Sequence, residues 1–261
     1  MDADVLTTAL QPSRKTLLQA VLADQYPNLN LTASSTVLTT TIESAETLTK
    51  WLLDQENSIM PRSVILTEEE EEEEGSSSRR NRSSKIDTSL QKAANLIPVV
   101  KVQDETITHA FSHMASYKKS ETLSTLSEIF RALITSKGVA IVTVTKRNPV
   151  EEIVLKTFKT TGRRGSSGSL REFAGDQDLR NLAEQARFEL GRIEVSEKQV
   201  VIEGGELEGL KGSVEKILDG ILSQTGDGHS WERTFDQTWS AEVERGGGKL
   251  VIEAYVLVAV K

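Results

Sequence analysis

The run VAIVTVT, Val139–Thr145, is the feature that most constrains how this chain can fold. It is almost continuously apolar and β-branched, which is typical of a strand buried on both faces of a parallel sheet. A helical pattern over Ser120–Ile134 precedes it, with apolar residues recurring on one face. Lys137 and Gly138 predict the tight turn between them. A helix, a turn and a doubly buried strand in this order predict a sheet covered by helices on both sides.

The same patterns along the rest of the chain predict one α/β domain over residues 1–261, in which strands and helices alternate. Further strands are expected at Asp4–Leu10, Asn28–Ala33, Ser63–Thr67, Thr106–Phe111, Lys198–Glu203 and Lys249–Val260. Further helices are expected from an N-cap at Ser13 to Pro27, and over Thr40–Gln55, Asn148–Thr157, Asp176–Leu190 and Glu206–Leu222.

Composition narrows the function classes. The formal net charge of −8 argues against a nucleic-acid partner, which usually requires a basic surface. No stretch has the length of a membrane span or the pattern of a secretory signal, so we expect a cytoplasmic protein. Residues 68–85 begin with seven consecutive glutamates and are predicted to be a disordered low-complexity loop. Residues 160–175 are predicted to form a second, flexible loop.

Metal and thiol chemistry are not expected. The chain has no cysteine and only three histidines. His109 and His113 are four residues apart, but they fall in or near a predicted strand, where the helical HxxxH geometry of zinc sites does not form. His229 is interpreted as a surface or capping residue.

The order and spacing of these elements resemble the class I S-adenosylmethionine-dependent methyltransferases, in particular the small-molecule type of fungal secondary metabolism. The clearest piece runs from Ile107 to Thr145, where Arg131–Leu133 and Gly138 stand at the place of the family's "RVLKPGG" turn. The resemblance implies a Rossmann-like fold with a mostly parallel seven-stranded sheet. It also implies a C-terminal antiparallel hairpin, matched by the segment 241–261.

The positions that should hold the cofactor depart from the family pattern. With Asp4–Leu10 as the first strand, the family's glycine-rich turn falls on a stretch without glycine, where Thr8, Gln11 and Pro12 stand instead. With Asn28–Ala33 as the second strand, Ser35 stands where the family has a carboxylate for the ribose. The helix that precedes the first strand in the family is not expected here. The cofactor site is therefore predicted to be degenerate, with no cofactor expected.

A methyltransferase fold without its cofactor could still shape a pocket for cyclisation of a small molecule, which needs orientation more than reactive side chains. Candidate catalytic residues are His113, His109 and Asp104, and candidate substrate-binding residues are Met114, Tyr117 and Trp231. Trp231 also recurs with Phe235 and Trp239 at helical spacing, which favours a packing stripe. Gly246–Gly248 opens no helix and is interpreted as a turn.

Three hypotheses remain open. The first is a cofactor-independent enzyme, such as a cyclase or pericyclase, acting on a secondary metabolite. The second is an active methyltransferase that binds S-adenosylmethionine unusually. The third is a non-catalytic subunit, because an apolar face left at the start of the sheet could be covered by a second copy or a partner protein.

Overall fold

The structure is a computed structural model that describes residues 3–55, 59–67, 92, 95–99, 101–114, 118–160, 175–222 and 230–261. The segment 68–85, residues 161–174 of the predicted loop, Tyr117 and His229 lie outside this range.

Seven strands and seven α-helices, with a short 3₁₀ helix at Leu190–Arg192, are described in this part of the chain. The strands are β1 Thr36–Thr39, β2 Ser63–Thr67, β3 Leu96–Val99, β4 His109–Met114, β5 Val139–Arg147, β6 Ile193–Ile202 and β7 Leu250–Val260. The helices are α1 Ala3–Leu29, α2 Ile42–Asp54, α3 Lys119–Ala132, α4 Pro149–Thr160, α5 Asp176–Gln185, α6 Gly204–Leu222 and α7 Ser230–Arg245.

All seven strands form one sheet in the order β3-β2-β1-β4-β5-β7-β6. The first five strands in this order run parallel to one another, and β7 runs antiparallel to both β5 and β6. The predicted mostly parallel seven-stranded sheet with an antiparallel C-terminal pair is therefore confirmed. Residues 241–245, predicted to lie in the hairpin, belong to α7. The antiparallel pair at the end of the chain is instead formed by β6 and β7.

The first third of the chain differs from the sequence prediction. Asp4–Leu10 is not a strand but part of α1, and Ser13 lies inside that helix instead of capping it. The buried positions Ala9, Leu10, Leu17 and Leu18 lie on one helical stripe that runs past Pro12. Packing of that stripe outweighs the local cost of Pro12. A helix preceding the first strand is thus present, where none was expected.

The predicted strand Asn28–Ala33 is also wrong. Leu29 ends α1, and Asn30 follows with a φ of 46°, the left-handed conformation in which asparagine often terminates helices. The first two strands of the sheet are instead β1 and β2. The sequence analysis missed β1 and β3, which have only four residues each.

Gly138 sits in the turn that leads into β5, and only glycine fits there. A Cβ atom on Gly138 would lie 2.7 Å from the Cβ of Leu133 and 2.8 Å from the carbonyl oxygen of Ile134. This close approach joins α3 to β5 at the point where the sequence resembles the family turn.

The sheet separates two apolar layers. One layer packs α1, α2, α4, α6 and α7 on one face, and the other packs α3 and α5 on the opposite face. Because side chains alternate along β4, Phe111 lies in the first layer and Ala110 in the second. No helix in the described residues is long and apolar enough to cross a membrane.

Candidate active site

The strand order of the sheet reverses between β1 and β4. These two strands are adjacent, although β2 and β3 lie between them in sequence. In open α/β sheets, ligands bind at the carboxyl ends of the strands where the strand order reverses in this way. The carboxyl ends of β1, β4 and β5 are therefore the place to look for a site. They end at Thr39, Met114 and Arg147.

The connection from β1 to α2 is very short. Thr40 and Thr41 alone join the strand to the helix, and Thr41 is the N-cap of α2. Its hydroxyl accepts a hydrogen bond from the Ser44 amide at 3.2 Å and donates one to the Ser44 hydroxyl at 2.8 Å. Hydroxyl side chains thus hold the turn between β1 and α2 in place.

Two hydrogen bonds fasten this connection to β4. The hydroxyls of Thr40 and Ser112 are bonded to each other, and the Ser44 hydroxyl accepts a bond from the His113 amide at 3.1 Å. We call Thr40, Thr41, Ser44 and Ser112 the hydroxyl strap. The strap spans the switch point and joins β1, α2 and β4 through side chains.

A group of buried polar atoms lies beside the strap on the α1 face of the sheet. His113 and Thr143 are direct neighbours across the β4–β5 pair, and Arg14 of α1 lies near enough to act electrostatically on His113. Glu43, in the first turn of α2, lies 3.7 Å from Arg14. We call Arg14, Glu43, His113 and Thr143 the buried polar cluster.

The members of this cluster are poorly satisfied. Both ring nitrogens of His113, the Thr143 hydroxyl, one Arg14 nitrogen and one Glu43 oxygen are buried without a hydrogen-bond partner in the part of the chain that the structure describes. Each buried, unpartnered polar atom costs about 1–3 kcal/mol. Native proteins keep few such atoms, and those that remain call for an explanation such as function.

Burial sets the charge states of the cluster. Desolvation, reinforced by the Arg14 charge, lowers the pKa of His113 to about 3, so the imidazole is neutral at pH 7. Desolvation raises the pKa of the Glu43 carboxyl, although the Arg14 charge opposes the shift. A neutral base and a carboxyl with a raised pKa near one guanidinium are the kind of pairing found where proton transfer takes place.

His109, also predicted as catalytic, lies at the start of β4. It lies four positions before His113, about 13 Å along a strand. Its Nδ1 atom lies 2.8 Å from the Thr108 hydroxyl. Burial lowers the pKa of His109, although a hydrogen bond with the Leu29 backbone acts in the opposite direction. The structure therefore does not bring the two histidines together.

Asp104 lies in the turn before β4, at the amino ends of the strands, whereas His113 of the buried polar cluster lies near the carboxyl end of β4. Its side chain is 71% exposed and forms an ion pair with Arg131 of α3. Glu105, the next residue, pairs with Thr135 and Lys261 at the same end of the strands. Both carboxylates therefore make their contacts at the amino ends of the strands and do not belong to the buried polar cluster.

The remaining predicted residues are dispersed. Met114 ends β4 and packs into the apolar layer on the α3 face. Trp231 is 3% exposed and packs against Phe235, which confirms the packing stripe. Thr8 and Gln11 are exposed positions of α1, and Ser35 lies before β1, where it accepts a bond from the Thr32 amide.

Sequence reasoning found His113 but missed Arg14, Glu43, Ser44 and Thr143. Arg14 and Glu43 fall within predicted helices and Thr143 within a predicted buried strand, and none of the three was singled out. A correct first strand would have given the signal, because it makes Thr40–Ser44 the turn after β1. In the described residues no three histidine or carboxylate side chains are placed to share a metal ion.

No protein-family model matches the sequence, and no curated protein sequence matches it. Solved structures do match. One is phosphoethanolamine N-methyltransferase 2 from Haemonchus contortus, in complex with phosphomonomethylethanolamine and S-adenosylhomocysteine, with a TM-score of 0.51 and 11% identity. The match covers 93% of this chain and 52% of that chain, so this chain spans about half the length of that methyltransferase.

Two more matches extend over most of both chains. The [4+2]-cyclase SpnF has a TM-score of 0.50 and 11% identity, over 94% of this chain and 80% of that one. The YcgJ protein from Bacillus subtilis has a TM-score of 0.50 and 10% identity, over 92% of this chain and 97% of that one. At such identities the likeness is one of fold. The chain has the Rossmann-like fold of the S-adenosylmethionine-dependent methyltransferases.

Proposed function

We propose that this protein acts on a small molecule without S-adenosylmethionine, as an enzyme of the cyclase type on a methyltransferase fold. The observation that carries the proposal is the hydroxyl strap, which ties the β1–α2 connection directly to β4. The family's cofactor lies at this junction, where a glycine-rich turn lets the backbone approach it.

The residues present do not fit that cofactor. The turn contains Thr40 and Thr41 and no glycine, so side chains occupy the volume that glycines leave open. A ligand at the junction would also separate Ser44 from the His113 amide and leave that amide unpaired. Losing such a buried bond costs about 1–3 kcal/mol, and about 1.4 kcal/mol weakens binding tenfold.

The buried polar cluster supplies the chemistry that remains. His113 is neutral at pH 7, and Glu43 is a member of the cluster with residual exposure, 17% of its side chain. A substrate that reaches the cluster past Glu43 would meet a hydrogen-bond acceptor, a carboxyl group and a cation. Such groups polarise or orient a substrate and need no cofactor. The [4+2]-cyclase SpnF supports this proposal at the level of the fold alone.

Calorimetric titration with S-adenosylmethionine and S-adenosylhomocysteine tests the first half of the proposal. We expect no saturable heat up to millimolar cofactor, from protein that still unfolds cooperatively. Micromolar binding of either compound would overturn the proposal.

A thermal-shift screen with a small-molecule library tests the second half. We expect compounds that raise the melting temperature of the wild-type protein and lose this effect in His113→Gln. The matched control is His109→Gln, which changes the histidine at the other end of β4 and should keep the effect. Compounds that stabilise all three proteins equally would contradict a role for the buried polar cluster.

An active methyltransferase is the second candidate, and one observation favours it. Once β2 is Ser63–Thr67, the residue that follows is Glu68, an acid at the place where the family carries its ribose-binding carboxylate. The helix α1 before the first strand also restores an element that the sequence analysis did not expect. This candidate predicts cofactor binding that weakens at least about tenfold in Glu68→Gln, the loss of one charged hydrogen bond.

A further inference from the structure

A shallow depression lies at the turn between α7 and β7, away from the buried polar cluster. Arg147, Pro149, Glu242, Arg245 and Lys249 line it, together with backbone of the turn, and its volume is about 70 Å³. That volume holds a few water molecules or one tetrahedral anion, and it is well below the roughly 300–1,000 Å³ of a drug-sized ligand. We call these five residues the basic depression.

Glu242 is the buried centre of the basic depression. Only 2% of its side chain is exposed, and three cations surround its carboxylate. Arg245 pairs with it closely, one turn along α7, and Lys156 of α4 lies 3.5 Å away. One carboxylate neutralises the charge of only one of these three cations, so the group as a whole keeps a net positive charge.

Arg147 has guanidinium donors that neither neighbouring glutamate takes up in a hydrogen bond. Its guanidinium lies 3.9 Å from Glu242 and 3.8 Å from Glu152, and both distances exceed the hydrogen-bond range. Lys249 has no ion pair in the described part of the chain. Arginine presents a fork of donors that matches carboxylate and phosphate oxygens, so an anion could take bonds that neither glutamate takes.

The local charge runs against that of the whole chain. Among the residues that line it, Arg147, Arg245 and Lys249 carry three positive charges, whereas Glu242 carries one negative charge. An excess of two positive charges therefore stands on a protein of net charge −8. The first residue of α4, Pro149, also lines the depression, and the amino end of that twelve-residue helix adds positive potential.

We propose that the basic depression binds a small, doubly charged oxyanion of the phosphate type. The volume limits the ligand to a single such group, free or at the end of a larger molecule. Arg147 and Lys249 contact the anion, and Glu242 positions Arg147 and Arg245. The inference does not depend on the proposed function, because the depression lies outside the hydroxyl strap and the buried polar cluster.

The test is an NMR titration of the isotope-labelled full chain with inorganic phosphate at constant ionic strength, with chloride as the balancing anion. We expect saturable shifts in the backbone amides of residues 245–251. In Arg147→Gln and Lys249→Gln the affinity should fall about tenfold or more, the loss of one charged hydrogen bond. Glucose 6-phosphate distinguishes a free anion from a phosphate monoester, because only a depression open to the esterified group gives the same shifts.

Lys137→Gln is the matched control, since Lys137 is an exposed lysine that precedes β5, whereas Arg147 lies at the other end of that strand. It should bind phosphate as the wild type does. Shifts that rise linearly without saturation would overturn the proposal. An equal loss of affinity in Lys137→Gln would overturn it as well, because it would reduce the effect to net charge. Because both test variants change exposed or half-exposed side chains, their folding is checked by the unchanged amide spectrum elsewhere.

Discussion

His113 and Thr143 stand side by side across the parallel β4–β5 pair, and neither side chain has a hydrogen-bond partner among the described residues. His113 is the last residue but one of β4, near the carboxyl end where strands of this fold face their ligand site, and Thr143 lies beside it midway along β5. An imidazole and a hydroxyl left unsatisfied at that position destabilise the folded protein. We attribute their presence to the function proposed above.

The burial of His113 makes stability depend on pH. Its pKa is about 3 in the folded protein and 6.5 in the unfolded chain, so between these values the unfolded state binds the proton more readily. Acidification through this window therefore favours unfolding. We expect the free energy of unfolding to rise with pH by up to about 1.4 kcal/mol per unit between pH 4 and 6. Chemical denaturation across this range measures it.

The variant His113→Leu isolates this contribution. Glu43 titrates in the opposite sense, because its pKa is raised and the stability it contributes is lost as pH rises. That contribution is common to both proteins and largely cancels in their difference. His109→Leu should keep the slope due to His113. Parallel pH curves for wild type and His113→Leu would show that His113 is not buried as described.

The hydroxyl strap predicts a large effect from a small change. Ser44→Ala removes the acceptor of the buried His113 amide, so we expect a loss of about 1–3 kcal/mol in the free energy of unfolding. Ser213→Ala on α6 is the control, since the Ser213 hydroxyl bonds the Gly209 carbonyl on an exposed surface. Its effect should stay within about 0.5 kcal/mol. Equal effects from the two variants would mean that the strap contributes nothing beyond a surface serine.

Arg14 and Glu43 form a second test, by a double-mutant cycle. Removing one partner of a buried ion pair strands the other charge, which costs up to about 3–5 kcal/mol, and residual exposure of Glu43 lowers this to about 2 kcal/mol. We expect Arg14→Met and Glu43→Gln each to destabilise the protein, and the double variant to destabilise it less than their sum. Additive losses would show that the two charges do not interact.

Two glycines should respond in opposite directions to the same substitution. Gly138→Ala places a Cβ against Leu133, so we expect destabilisation by about 1–3 kcal/mol. Gly212→Ala lies in open space within α6, where alanine favours the helix by about 0.5–1 kcal/mol. Thermal unfolding of the two variants measures both signs. A stable Gly138→Ala protein would mean that the turn into β5 is looser than the structure has it.

The second half of the fold could be predicted because its signals agree with one another. Around Val139–Thr145, length, apolar continuity and the glycine turn all favour the same strand, and the structure confirms it as β5. In the first third, local signals conflicted with packing. Thr7 and Thr8 favour a strand and Pro12 a break, whereas the buried stripe from Ala9 to Leu22 requires a helix.

The error in the first helix then moved the site. With β1 placed too early, Thr8, Gln11 and Ser35 were assigned to cofactor positions, although the turn after β1 holds Thr40 and Thr41. The turn at the corrected place also contains no glycine. Only the tertiary structure joins Arg14, Glu43, His113 and Thr143, because they come from four elements and share no sequence spacing.

The hydrogen bond from the Asn148 side chain to the Ser13 hydroxyl joins residues 135 positions apart and fixes α1 beside the carboxyl end of β5. During synthesis, α1 leaves the ribosome well before this anchor, which lies 135 residues further along the chain. Until then α1 can pack against α2, but the rest of its apolar stripe lacks the later elements that cover it, and exposed apolar surface lets chains aggregate or engage chaperones. Complete docking of α1 therefore waits for residues made much later, and contacts of such sequence separation slow folding.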